Sequence, residues 1–109
     1  MPELPVDLRR SIADSEVEVV SWSGEEREMV LRVSKERGEE SDVFLRLEGV
    51  RLVHMQQRFK VRAVGLYDRP FPDYLHLQLE EGEFALAFQE QGNEVYVVTA
   101  HGLTYDKIA

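Results

Sequence analysis

Apolar and polar residues alternate along most of the chain from Ser15 onward. The period is two in successive short segments, as in Met29, Leu31 and Val33. Because neighbouring side chains of a β-strand point to opposite faces, this period predicts half-buried strands. Turn residues separate the segments about every 8 to 12 residues, which is typical of a β-sandwich or a small barrel.

The residues that we expect in the core share the apolar half of this alternation. They are Leu31, Val33, Leu45, Leu47, Phe59, Val61, Leu75, Leu77, Leu79, Phe84, Leu86, Val95 and Val97. Gly49 interrupts the pattern, which predicts a bend where the chain changes sheets. The segment from Glu94 to Ala100 is apolar on both faces, so we expect it to be covered on both sides.

A helix is predicted only near the N-terminus. Pro5 suits a first turn, and Leu8 and Ile12 lie four residues apart on one face. We therefore expect a helix over residues 5–14 and strands over residues 15–109. The predicted fold is mainly β: an antiparallel β-sandwich or partly open barrel of seven to eight strands with one short N-terminal helix.

Length and composition narrow the class of protein. A chain of 109 residues with 43% apolar content matches a single domain spanning residues 1–109. Cysteine is absent, which excludes disulfides, thiolate metal sites and a cysteine nucleophile and fits the cytoplasm. No apolar run reaches the roughly 20 residues that span a bilayer, so we expect no membrane partner.

The formal charge of −8 is unevenly distributed. Residues 1–50 and 74–109 carry a net −6 and −5, whereas residues 51–73 carry a net +3. Affinity for nucleic acid depends on Lys and Arg, so we expect no nucleic-acid partner. Abundant acid is suited instead to electrostatic steering of a basic protein.

Sequence motifs for catalysis or metal binding are absent. His54, His76 and His101 have no ligand spacing with one another, and no nucleophile elbow or phosphate-binding loop occurs. The acids Glu80, Glu81 and Glu83 cluster at a predicted turn, where we expect water to screen them and to leave their pKa values ordinary. We predict no catalytic residue, no metal and no cofactor.

Three basic residues, Arg58, Lys60 and Arg62, share one face of a predicted strand. One interpretation is a stripe that binds an anionic ligand. The other, which we favour, is a solvent-facing row paired with carboxylates of a neighbouring strand.

The loop from Tyr67 to Tyr74 combines aromatic, proline and charged residues. Prolines reduce the entropy lost on ordering a loop and aromatics supply contact area, so this loop suits recognition. The possible partner-binding residues are Tyr67, Arg69, Phe71 and Tyr74. In the alternative, Phe71 folds inward as a plug. Trp22, the only tryptophan, is expected in the core or at its rim rather than as a binding hot spot.

The order of a short helix, strand pairs, Phe44-Leu45-Arg46-Leu47-Glu48-Gly49-Val50 and Val95-Tyr96-Val97-Val98-Thr99-Ala100 resembles a group of small acidic β-rich bacterial proteins. Some of these are immunity proteins encoded beside toxins. The resemblance implies an acidic binding protein that masks a basic partner, and it carries over no site residue.

The leading functional hypothesis is a non-enzymatic binding module for a protein partner. One alternative is a β-barrel or sandwich that holds a small ligand between its layers; another is an enzyme with dispersed active-site residues. We also expect a homodimer formed through the doubly apolar strand from Glu94 to Ala100.

Overall fold

One short helix and eight β-strands form the described part of the chain, which comprises residues 3–34, 42–69 and 76–107 of a computed structural model. The elements are α1 (Val6–Ile12), β1 (Glu16–Ser23), β2 (Glu28–Ser34), β3 (Val43–Glu48), β4 (Val53–His54), β5 (Arg58–Tyr67), β6 (Phe84–Glu90), β7 (Val95–Ala100) and β8 (Gly102–Lys107). The described residues contain no helix that is long and apolar enough to cross a membrane.

All strands belong to one antiparallel sheet in the order β4-β7-β6-β5-β1-β2-β3-β8, and this sheet is not closed into a barrel. The predicted mainly β, antiparallel fold is therefore confirmed. The long strand β5 lets the sheet turn, because its first residues pair with β1 and the rest pair with β6. The register shifts between Val61 and Ala63, where the strand changes partner.

The two ends of the sheet meet where β3 runs into β4 and β7 runs into β8. The amide of His101 donates a hydrogen bond to the carbonyl of Glu48 (2.9 Å), and the amide of Thr99 donates to that of Leu52 (2.9 Å). Gly49 permits the bend because its φ is +67°, and a Cβ there would lie 3.0 Å from the His101 side chain. The bend predicted at Gly49 is present, but the chain passes there between two strands of one sheet and does not change sheets.

The main core fills the space between the two halves of the folded sheet. Its fully buried side chains come from both halves and from α1, which contributes Leu8 and Ile12. Of the predicted core residues within the described ranges, ten are buried and two, Leu79 and Val95, are partly buried. Leu75 lies outside the described residues.

The helix and the turns agree closely with the sequence. α1 ends at Ile12, two residues before the predicted end, and Asp14 adopts a left-handed φ of 60° as the chain turns into β1. Turns at residues 24–27, 81–82 and 91–92 separate the strands, in line with the predicted spacing of turn residues.

The strand predicted around Leu75, Leu77 and Leu79 is wrong for its described residues, because 76–80 form no strand. Side chains rather than a neighbouring strand bind this backbone: Arg51 donates to the carbonyl of Gln78 (2.6 Å), and the Glu83 carboxylate accepts from the amide of Glu80 (3.1 Å). The alternation of leucines therefore marks one buried face of an extended segment.

This segment covers the outer faces of β6 and β7. Leu77 and partly buried Leu79 pack with Ala85, Ala87 and Val97 in a second apolar cluster. On the opposite face of β7, Tyr96 and Val98 lie in the main core. Both faces of β7 are thus covered within one chain, which removes the reason for a dimer through this strand; the oligomeric state stays a prediction.

Candidate functional site

A polar cluster lies at the corner where the ends of the sheet meet. We call Arg51, Glu80, Glu83 and His101 the corner cluster. Arg51 follows the bend at Gly49, and its Nε and Nη2 donate to the two carboxylate oxygens of Glu83 at 2.9 and 2.6 Å. This two-point geometry is the strong form of an Arg–carboxylate pair.

The carboxylate of Glu83 is completely buried, with an exposed fraction of 0%. Burial raises the pKa of Glu83, but the hydrogen bonds from Arg51 and from the Glu80 amide, with the charge of Arg51, outweigh it and hold this pKa below its usual value. The expectation that the acids of this turn are all solvated with ordinary pKa values is therefore wrong for Glu83.

Three side chains of the corner cluster carry metal-ligating atoms. One atom each from Glu80, Glu83 and His101 lies within 4.8 Å of the others, and His101 Nε2 is 3.6 Å from Glu80 Oε2. The guanidinium of Arg51 already occupies both oxygens of Glu83, and a cation would have to displace that positive charge. We interpret the corner cluster as a structural ion-pair network.

An apolar groove opens between β1 and the chain that leads from β4 to β5. We call it the β1–β4 groove, with a volume of about 380 Å³. It is lined by Val19, Val20, Ser21, Trp22, Met29, Val53, Met55 and Gln57.

The groove exists because β1 separates from β5 part-way along its length. The ladder between them ends at Glu18, after which the amide of Val19 donates to the carbonyl of Gln57 (2.7 Å). The register with β2 shifts between Val19 and Ser21, which places a bulge at Val20. Beyond that bulge, β1 borders the groove.

Trp22 lies at the edge of the core, where it lines the β1–β4 groove. It lies directly opposite Met29, so both side chains are on the inward face of the sheet. Met29 is 1% exposed and forms the floor, whereas Trp22 is 44% exposed. Trp22 is therefore a rim residue, and with Val20, which is 50% exposed, it presents apolar surface beside the core.

The turn after Trp22 and the adjoining ends of β2 and β3 are acidic. The hairpin turn after Trp22 carries Glu25 and Glu26, and β2 begins with Glu28. Glu28 lies directly opposite Glu48 of β3, a pairing of like charges that destabilises a sheet. Within the described part of the chain, these four acids make no ion pair.

The basic stripe is partly engaged by the chain itself. Arg58 is exposed and pairs with Glu16 (2.9 Å) and with Glu18 on the adjacent strand β1, and the hydrogen bond and charge of Arg58 lower the pKa of Glu18. Lys60 lies opposite Glu16 in the register, and Arg62 lies at the register shift of β5. An anionic ligand on this stripe stays a prediction.

The predicted recognition loop is described only at its start. Tyr67 and Arg69 are exposed, and Arg69 Nε lies 3.2 Å from the carboxylate of its neighbour Asp68. Phe71 and Tyr74 lie outside the described residues, so their role in partner binding stays a prediction.

A second, smaller groove of about 210 Å³ lies between α1, β3 and β8. Tyr105 lines it with an exposed fraction of 45%, close to that of Trp22. This surface provides a matched comparison for the β1–β4 groove.

The chain matches no model of a known protein family, no curated protein and no solved structure. Sequence reasoning missed both the corner cluster and the β1–β4 groove, because each joins segments distant in the chain: Arg51 and Glu83 are 32 residues apart. For the groove, the signal in the sequence was the run of acids Glu25, Glu26 and Glu28 that follows Trp22.

Proposed function

We propose that this protein is a non-enzymatic binding module whose β1–β4 groove receives an apolar side chain of a basic protein partner. The observation that carries the proposal is the exposed Trp22 on the rim of a groove that opens onto the core. Exposed aromatics beside an apolar depression are typical of interface centres, where tryptophan contributes more than most residues.

Charge supports the choice of partner. Glu25 and Glu26 of the turn after Trp22 and Glu28 opposite Ser23 make no ion pair within the described residues, and they favour a ligand that brings Lys or Arg. A net charge of −8 adds long-range steering towards such a ligand. The cytoplasmic location and the homodimer predicted from the sequence stay predictions.

The interior between the two halves of the sheet is filled by side chains, which favours binding of a protein partner at the groove over binding of a small ligand inside the fold. Phe59 packs against Phe88 and Tyr96, with ring centroids 5.6 and 4.7 Å away, at the centre of the main core. Among the described residues, the one buried carboxylate, Glu83, is bound at both oxygens by Arg51. Neither place offers a ligand the polar groups that fix its orientation.

The first test uses the hexapeptide acetyl-Lys-Val-Lys-Val-Lys-Val-amide as a basic and apolar probe. Because Trp22 is the only tryptophan, burial of its ring should shift the protein's fluorescence to shorter wavelength. Calorimetry should show that Trp22→Ala weakens binding by about tenfold or more, since truncating a tryptophan at an interface centre has a large effect.

Matched controls separate this groove from the rest of the surface. Tyr105→Ala removes an equally exposed aromatic from the smaller groove and should leave the affinity unchanged. Peptides with Glu in place of Lys, or Ser in place of Val, should bind much more weakly. Equal affinity of the Trp22→Ala and unaltered proteins, or failure of the probe to bind at all, would contradict the proposed function.

A further inference from the structure

The groove is bordered by an open strand edge as well as by apolar side chains. On the side of β1 that faces away from β2, the ladder to β5 covers only Glu16–Glu18, and one further bond from Val19 ends it. Across residues 3–34, 42–69 and 76–107, the backbone of Val20–Ser23 finds no partner on that side. The strand thus presents an unused edge four residues long, along which alternate residues direct their amide and carbonyl groups outward.

The opposite border of the groove is also the end of a sheet. β4 is the last strand in the sheet order, and its Val53 lines the groove across from Val20 and Trp22. The gap therefore lies between the open part of β1, an inner strand of the sheet order, and the outer strand β4. An additional strand in this gap would continue the sheet from β1 towards β4.

We propose that the partner binds as an extended segment that adds a β-strand to the Val20–Ser23 edge of β1. This proposal rests on the function proposed above and specifies its binding mode. Strand addition supplies main-chain hydrogen bonds along the edge, and alternate side chains then face opposite ways. One set enters the groove over Met29, which requires apolar residues at every second position.

The acids beside the open edge determine which residues suit the outward-facing positions of the added strand. The open edge ends at Ser23, which lies opposite Glu28 in the register and leads directly into Glu25 and Glu26 of the turn. Lys or Arg at the outward positions of the added strand would meet this acidic turn. The occupant is therefore an alternating apolar and basic segment of another protein, and not a second copy of this acidic chain.

The test uses the same hexapeptide with N-methyl groups on its backbone. In one version the backbone nitrogens of the three Lys residues are methylated. In the other version the backbone nitrogens of the three Val residues are methylated. Because alternate amides of a strand point to opposite edges, each version disables one edge while keeping every side chain. Methylation of the edge that faces β1 should weaken binding by about tenfold or more.

The protein side of the contact is followed by hydrogen exchange of backbone amides. Binding of the unmodified hexapeptide should slow exchange within Val20–Ser23, whereas the amides of the β8 edge, Gly102–Lys107, should be unchanged. Slower exchange at β8 instead would overturn the proposal. So would protection of Val20–Ser23 in the protein alone that increases with protein concentration, since that result identifies a second copy as the occupant.

The methylated peptides also separate the two proposals. If both bind as tightly as the unmodified hexapeptide, and Trp22→Ala still abolishes binding, the strand addition is wrong while the groove keeps its function. If the unmodified hexapeptide does not bind, the proposed function fails, and the strand addition fails with it.

Discussion

Arg51 and Glu83 form, among the described residues, the ion pair whose carboxylate is completely buried. The carboxylate of Glu83 has no access to water, whereas the side chain of Arg51 is 33% exposed. Removing the cation therefore leaves a buried charge without its partner, which is more costly than losing a pair at the surface. Arg51 also binds the carbonyl of Gln78, so it holds the segment that covers β6 and β7.

The expected effect of Arg51→Met is a loss of about 3–5 kcal/mol in the free energy of unfolding, measured by urea denaturation. Methionine keeps an apolar stem of similar length, so the loss reports the missing charge together with its hydrogen bonds to Glu83 and to the carbonyl of Gln78. Arg58→Met is the matched control, because Arg58 also pairs with carboxylates but is exposed, and it should give a far smaller loss. Equal losses in the two variants would show that burial of Glu83 is not what makes the pair important.

At the level of elements, the sequence predicted the strands but not what covers them. Alternation placed β2 and β3 correctly because each buries one face of a regular ladder, as Leu31 and Leu45 show. It also placed β6, although that strand is buried on both faces from Phe84 to Phe88. The same alternation failed at Leu77 and Leu79, where side-chain hydrogen bonds replace a strand partner. Periodicity reports which side chains are buried, and it does not report what binds the backbone.

The candidate site was harder to predict than the fold for a related reason. The groove depends on where β1 leaves β5, and that point is set by a bulge at Val20 that no residue type announces. Trp22 was correctly expected at the core or its rim, but its exposure follows from the end of the ladder between β1 and β5 at Glu18. Pairing between distant segments determines such features, and local pattern carries little information about pairing.

The opposed acids Glu28 and Glu48 permit a test at the level of strand pairing. Lysine at position 28 would replace a like-charge pair by an attractive one, so Glu28→Lys should raise the free energy of unfolding by roughly 0.2–1 kcal/mol. The same change should weaken binding of the basic hexapeptide. Glu81→Lys, an exposed substitution in another turn, is the control for overall charge.

If Glu28→Lys raises the free energy of unfolding and weakens binding of the hexapeptide, the like-charge pair contributes to partner binding and destabilises the sheet. If Glu28→Lys stabilises the protein and binds the hexapeptide as tightly as before, the acids beside the groove have no part in partner choice.

For the whole molecule, two electrostatic effects act in different ranges of pH. With a net charge of −8 and an isoelectric point near 4.8, the chain repels itself at neutral pH, and this repulsion weakens as pH falls towards 5. Glu83 acts at lower pH. Because its pKa is lower in the folded protein than in the unfolded chain, its ion pair stabilises the fold fully above the unfolded value of roughly 4.3, and this contribution is lost as pH falls through the folded pKa.

We therefore expect the free energy of unfolding to rise from pH 7 to about pH 5 and to fall steeply below about pH 4, as measured by urea denaturation across this range. Added salt should flatten the upper part of the curve, where exposed charges repel one another, and should leave the steep acid limb in place. Glu83→Gln should be less stable at pH 7 and should have a shallower acid limb, since the group that takes up the proton is gone. An acid limb of unchanged steepness in Glu83→Gln would assign acid unfolding to other carboxylates and would remove the corner cluster from this account.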